Sequence, residues 1–134
     1  MLEGGSFRAD VSPDIIDGTP LIRAYDDAYF QIADTRYESG ICIHQGEVIS
    51  PWGPEHSGSI SLEDLSLILA HPPEILIIGT GRLTSFPDAS VLHALSEQHI
   101  GFECMNSRAA ARTYNILVAE GRTVSALFLL PNAR

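Results

Sequence analysis

Two short apolar runs that each pass straight through a turn into a helix constrain this chain more than anything else in it. Residues 74–79 (EILIIG) lead into Thr80-Gly81-Arg82, and residues 101–105 (GFECM) lead into Asn106-Ser107-Arg108. The first run is β-branched and continuous, bounded by Pro73 and by glycines, which is the signature of a strand buried on both faces. If both runs are parallel strands joined by the helix between them, both turns lie on one edge of one sheet. That is the edge where open α/β folds place their ligands.

The elements before and after these turns complete an α/β pattern. Met1 to Gly18 shows little periodicity and reads as an irregular lead-in, leaving residues 19–134 as a single α/β domain. From Pro20, short apolar runs alternate with acidic turns: Leu21 to Tyr25, Ala28 to Ile32, Gly40 to His44 and Glu47 to Pro51, broken at Asp26-Asp27, Asp34-Thr35 and Gln45-Gly46. These predict strands in antiparallel hairpins. Ile41 and Ile43, with Cys42 and His44 between them, alternate as a sheet with one buried face would.

Three helices follow. Ser61 caps the first, with Leu62, Leu65, Ile68 and Leu69 inward and His71-Pro72-Pro73 stopping it. Pro87 and Asp88 open the second, whose buried stripe is Val91, Leu92, Leu95 and His99, with Gly101 as its left-handed cap. The third runs from Ser107 to Glu120, with Ala109, Ala110, Thr113, Ile116 and Leu117 inward and Gly121 ending it. A last strand spans Val124 to Leu130. Antiparallel hairpins followed by α-β-α-β-α-β predict an α/β fold with a mixed sheet and a parallel β-α-β core.

Charge narrows the choice of partner. The chain has 134 residues, no lysine, eight arginines and a net charge of -9. Residues 1–60 carry ten acids against three arginines and residues 61–134 carry seven against five, so arginine concentrates near the two turns. Phosphate backbones repel such a chain, which argues against nucleic acid and anionic membranes as partners. Cys42 and Cys104 lie in strand-like runs without metal or redox spacing, so two buried free thiols and a cytoplasmic setting are expected. No run approaches the roughly 20 apolar residues of a membrane span.

The residues able to do chemistry gather at the same turns. Gly79-Thr80-Gly81-Arg82 is a fragment of a dinucleotide fingerprint, with Glu103 where a ribose-binding acid would stand. Thr84 occupies the third glycine position, however, and Leu83 to Pro87 delay the helix, so no helix N-terminus meets a pyrophosphate directly and the fragment reads as a tight strand-to-loop turn in preference to a dinucleotide site. Arg108, Arg112 and Asn115 follow i, i+4, i+7 spacing and share one helix face. With Arg82 and the first amides of that helix at Asn106 and Ser107, they form a candidate site for a small anion such as a carboxylate or phosphate. The bland alternative is that these arginines pair with nearby carboxylates. Tyr114 suits the core with its hydroxyl bonded, or a general acid. Cys104 is either inert packing or a thiol activated by the helix start. The five histidines lack ligand spacing, so neither metal nor cofactor is expected, and without a defined catalytic motif the chain reads as a protein-binding module, with a binder or enzyme for a small anionic ligand at residues 79–82 and 106–112 as the alternative.

Gly79-Thr80-Gly81, Phe86-Pro87, Gly101, Met105, Ala109-Ala110, Arg112-Thr113-Tyr114-Asn115, Glu120-Gly121-Arg122 with Val124, and Trp52 together resemble a family of small domains of unknown function. That family is shared by bacterial and archaeal stand-alone proteins, a mitochondrial complex I (NADH dehydrogenase) assembly factor and an adipogenesis-associated protein. The resemblance spans Pro20 to Pro131. It implies a three-layer fold with a mixed central sheet, and a protein partner in an assembly-type role rather than a reaction. Asn106-Ser107 departs from the Asp-Thr of close bacterial members, and Ala111 stands where many carry cysteine. Asn106 counts against an acid-base role at that loop, and Ala111 excludes a nucleophile at that position.

Overall fold

The computed structural model of the protein describes residues 14–134. Among the described residues, ten strands and three α-helices occur in the order β1 (Ile15–Ile16), β2 (Thr19–Pro20), β3 (Ala24–Asp26), β4 (Tyr29–Ile32), β5 (Thr35–Tyr37), β6 (Ile41–His44), β7 (Glu47–Ile49), α1 (Ser66–Ala70), β8 (Ile75–Gly79), α2 (Ala89–Glu97), β9 (Gly101–Met105), α3 (Ser107–Ala119) and β10 (Val124–Phe128). The central sheet has the order β9-β8-β10-β6-β7. β8, β9 and β10 are parallel; β6 joins β10 antiparallel and carries β7 on its far side. The fold is mixed α/β, with antiparallel hairpins leading into a mixed five-stranded sheet.

Residue alternation along the strands builds three layers. Ile77 of β8, Ala126 and Phe128 of β10 and Ile41 and Ile43 of β6 face a core completed by Ala110, Ala111, Tyr114 and Val118 of α3 and by Phe30 and Ile32 of the β3–β5 sheet. Leu76, Ile78, Leu127 and Cys42 turn the other way, onto Leu65, Ile68, Val91, Leu95 and Ile100. Covering both faces excludes water from β8 and β10, which explains why their sequences are continuously apolar. β6 follows the same rule: all four of its residues are buried, so the expectation of a half-exposed strand is corrected. Its alternation separates two cores rather than core from solvent.

Local chemistry moves several boundaries. Residues 1–13 of the expected lead-in lie outside the described residues; Ile15–Ile16 beyond them pairs with Thr19–Pro20 across Asp17-Gly18, both at positive φ. Gln45-Gly46 turns β6 into β7 in the same conformation, the two-residue geometry that matches strand twist. The β3–β4 hairpin gains a third strand, β5, that the sequence reading lacks. The helix after Ser61 begins as a 3-10 turn over Leu62–Leu65, held by the Asp64 carboxylate accepting the Ser61 N–H at 2.9 Å. Its tighter winding rotates Leu62 out to solvent, against the expected inward stripe.

The left-handed residue after α2 is His99, at φ +58, and not Gly101, which already belongs to β9. His99 N–H donates to Ser96 and Ile100 N–H to Leu95, and Ile100 buries against Leu95. This pair of hydrogen bonds with its apolar contact offsets the strained histidine backbone. On α3 the inward stripe is Ser107, Ala110, Ala111, Tyr114 and Val118, while Ile116, expected inside, is exposed. Alanine and tyrosine alternate here because α3 lies close to the sheet, with the Tyr114 ring edge-on to Phe128 at 5.9 Å.

Candidate functional site

The two strand-to-helix turns meet, side by side, through their backbones. Thr80 N–H donates to the Met105 carbonyl at 2.8 Å, and Ser107 N–H to the Gly81 carbonyl at 2.8 Å. The Gly81 N–H returns a bond to the Ser107 hydroxyl at 2.9 Å, and that hydroxyl donates to the Leu129 carbonyl at 2.6 Å. Ser107 is thus fully buried and joins the ends of β8, α3 and β10. Gly81 sits at φ +95, and a Cβ there would run into the Ala133 carbonyl, so no side chain fits. Gly79 is equally closed: a Cβ would lie 2.8 Å from Phe128 and 2.9 Å from the Ser107 hydroxyl. These glycines serve close packing of the protein on itself.

Thr80 fixes the loop that follows. Its hydroxyl lies 2.7 Å from the Leu83 carbonyl and 3.1 Å from that of Met105, and it accepts the Ser85 N–H at 3.1 Å. Asn106 N–H donates to the Thr84 hydroxyl at 3.1 Å, and the Ser85 hydroxyl bonds that of Ser57. The Arg82 N–H donates to Ala133 at 2.7 Å, and its side chain is exposed. A loop tied at so many points holds one conformation, and it holds Leu83 and Phe86 out to solvent, at 64% and 63% exposure. Neither residue belongs to the candidate site that the sequence predicts, although Phe86 is among the residues that carry the family resemblance. The signal was there: large apolar side chains in a stretch with no periodicity that would bury them.

The remaining candidate residues point elsewhere. Arg108 pairs with Asp27 and lies over the Tyr25 ring, and Arg112 donates to the Tyr25 hydroxyl at 2.8 Å. Asn115 accepts the Ile22 N–H at 2.9 Å and donates back to the Ile22 carbonyl at 2.8 Å. Tyr114, fully buried, donates to the Pro20 carbonyl at 2.7 Å, and burial pushes its phenol up. The i, i+4, i+7 face is therefore real, and the chain around β3 and β4 occupies it. At the start of α3, Asn106 accepts the Ala109 N–H at 2.9 Å, while the Ser107 and Ala110 amides bond Gly81 and Asn106. Most of the donors expected to receive an anion are engaged within the protein. Both cysteines are free; Cys42 is buried but Cys104 only half-buried, against the expected burial of both, and burial pushes Cys42 up to about 12 and Cys104 up to about 11, which for Cys104 favours inert packing.

At the opposite end of the sheet a cleft of about 340 Å³ is lined by His44, His71, Arg122 and Ser125 among others. The His44 Nδ1 lies 2.7 Å from the Ser125 hydroxyl, while its buried Nε2 has no hydrogen-bond partner among the described residues. Burial, and secondarily the nearby His71 imidazole, hold His44 below its ordinary value near 6.5. His44 is therefore neutral in the fold at pH values where the unfolded chain binds a proton. Stability is expected to fall as pH drops below about 6.5, by at most about 1.4 kcal/mol per pH unit for this one proton. Urea unfolding at pH 7.5 and 5.5 measures the drop, and His44→Gln should flatten it.

Comparison with known proteins places this geometry. A family model described as a protein of unknown function (DUF498/DUF598) matches residues 22–129. Over 71 residues the chain is 38% identical to the "13 kDa major membrane protein" of Francisella tularensis subsp. holarctica, covering 53% of this chain and 58% of that one. It is 29% identical over 118 residues to NADH dehydrogenase (ubiquinone) 1 alpha subcomplex assembly factor 3 of Xenopus tropicalis, covering 79% and 64%. The chain thus spans less than two thirds of either relative. A solution structure from Bordetella pertussis, described as a Mth938-like domain, superposes with a TM-score of 0.75 at 28% identity over 93% of this chain and 94% of that one. Among the described residues no helix is long and apolar enough to cross a membrane.

Proposed function

Because the chain belongs to the family of proteins of unknown function DUF498/DUF598, we propose that residues 19–134 act as one non-catalytic, cytoplasmic domain that docks a protein partner in an assembly-type role. The observation that carries this is the tied loop 80–88 with Leu83 and Phe86 exposed upon it. A loop fixed by Thr80, Thr84 and Ser85 binds without losing much conformational freedom, so apolar burial at its tip goes into affinity. The candidate residues then divide between two tasks. Thr80, Gly81, Asn106 and Ser107 set the loop's shape, with Arg82 on its rim, while Arg108, Arg112 and Asn115 fasten α3 to the β3–β4 hairpin. The assembly-factor relative supports a protein as the partner.

Burying a leucine and a phenylalanine is worth about 1.5–3 kcal/mol each. Replacing both by serine should therefore reduce recovery of a co-purifying partner from the source cell at least tenfold, at unchanged melting temperature. Repeated recovery of the wild-type protein alone, or a partner held equally by the double variant, would reject the proposal.

A further inference from the structure

We propose that the outer edge of β9 is a second part of this docking surface, built to take an extended segment of a partner protein with a basic side chain opposite Glu103. The inference rests on the protein-binding reading above and names the chemistry of the partner. β9 ends the central sheet and pairs on one side only, with β8. In a parallel ladder, alternate residues turn both backbone groups to the same neighbour. Gly101 N–H donates to the Glu74 carbonyl at 3.2 Å, and the Met105 carbonyl accepts the Thr80 N–H at 2.8 Å. Gly101, Glu103 and Met105 therefore face β8, and Phe102 and Cys104 turn their N–H and C=O groups outward. Among the described residues none of these outward groups has a hydrogen-bond partner.

An open edge is a template for any extended chain, and natural sheets guard it with a charge. Here the guard is Glu103, exposed at the middle of the strand. A two-fold pairing of β9 with a second copy, centred on this residue, would set Glu103 against itself, and like charges directly opposite repel. The copy is also a poor partner overall, with a net charge of -9 and no lysine. A strand bearing arginine or lysine at that position converts the repulsion into a cross-strand pair. Strand addition itself draws affinity from main-chain bonds and specificity from alternate side chains.

The surroundings extend the specification. The Thr84 hydroxyl accepts the Asn106 N–H immediately after Met105, so loop 80–88 stands at the end of β9. A segment running along the edge and past Met105 reaches Thr84, which lies between Leu83 and Phe86 in that loop. The partner segment is thus extended, basic at its centre and apolar at the end that reaches the loop.

The test uses the full chain, labelled with ¹⁵N, and synthetic seven-residue peptides alternating valine and threonine around a central arginine or a central glutamate. The arginine peptide should slow exchange of the Phe102 and Cys104 amides at least tenfold and bind at least tenfold more tightly than the glutamate peptide. Glu103→Arg should reverse that order; should it fail to fold, Glu103→Gln should abolish the preference at unchanged circular dichroism. Slow exchange at Phe102 and Cys104 without peptide, binding that leaves these two amides unprotected, or a preference indifferent to Glu103 would each overturn the proposal. So would dimerisation of the protein through β9. A partner lost from the Leu83/Phe86 double variant while the β9 amides never gain protection removes the edge alone. Protection of the edge with a partner indifferent to Leu83 and Phe86 removes the loop.

Discussion

Truncating Tyr114 to alanine should lower the unfolding free energy by about 3–5 kcal/mol, the range for removing a large aromatic from a closed core. The ring is fully buried, stands edge-on to Phe128 and reaches Pro20 through its hydroxyl. It therefore ties the sheet to the chain entering the β3–β5 hairpins. Tyr114→Phe separates the two contributions. It keeps the ring and strands the Pro20 carbonyl, for a loss of about 1–3 kcal/mol. Denaturant unfolding monitored by circular dichroism reads both variants. A Tyr114→Ala loss below about 2 kcal/mol would mean that the sheet and α3 pack well enough without the ring, against the contacts described.

Ser107→Ala is expected to cost about 2–6 kcal/mol although it removes a single oxygen. That oxygen serves two buried backbone groups, accepting from Gly81 at 2.9 Å and donating to Leu129 at 2.6 Å. Each group left without a partner costs about 1–3 kcal/mol. Ser107→Thr keeps the oxygen and isolates the effect of volume. The functional consequence follows from position: Gly81 begins the loop that presents Leu83 and Phe86, so faster amide exchange should appear first across residues 80–88. A uniform loss of protection over the whole protein, with the loop no more affected than β10, would show that Ser107 supports the fold without controlling the loop.

The parts of the fold that were legible in the sequence are those set by short-range physics. EILIIG and the Val124 run read as strands because chains covered on both faces carry apolar residues at every position. Gly121 read as a helix end because it takes the left-handed conformation at φ +81 at no steric cost. The side-by-side meeting of the two turns also followed from sequence, since consecutive parallel strands must place their carboxyl ends on one edge. The face shared by Arg108, Arg112 and Asn115 followed from helical period alone.

What those residues face was not legible, because a helix period fixes which side chains share a side and says nothing about the neighbour. The neighbour proved to be Ile22, Tyr25 and Asp27, more than 80 positions away in the chain. His99 took the left-handed cap in place of Gly101 because the start of β9 claims Gly101 for the ladder with β8. His44 turned from a half-exposed strand residue into a buried one through contact with Ser125 of β10. The amino-acid order by itself thus determined the elements, their polarity and the meeting of the two turns. Tertiary packing decided which donors stay free, because hydrogen bonds between distant segments engage groups that local sequence leaves available.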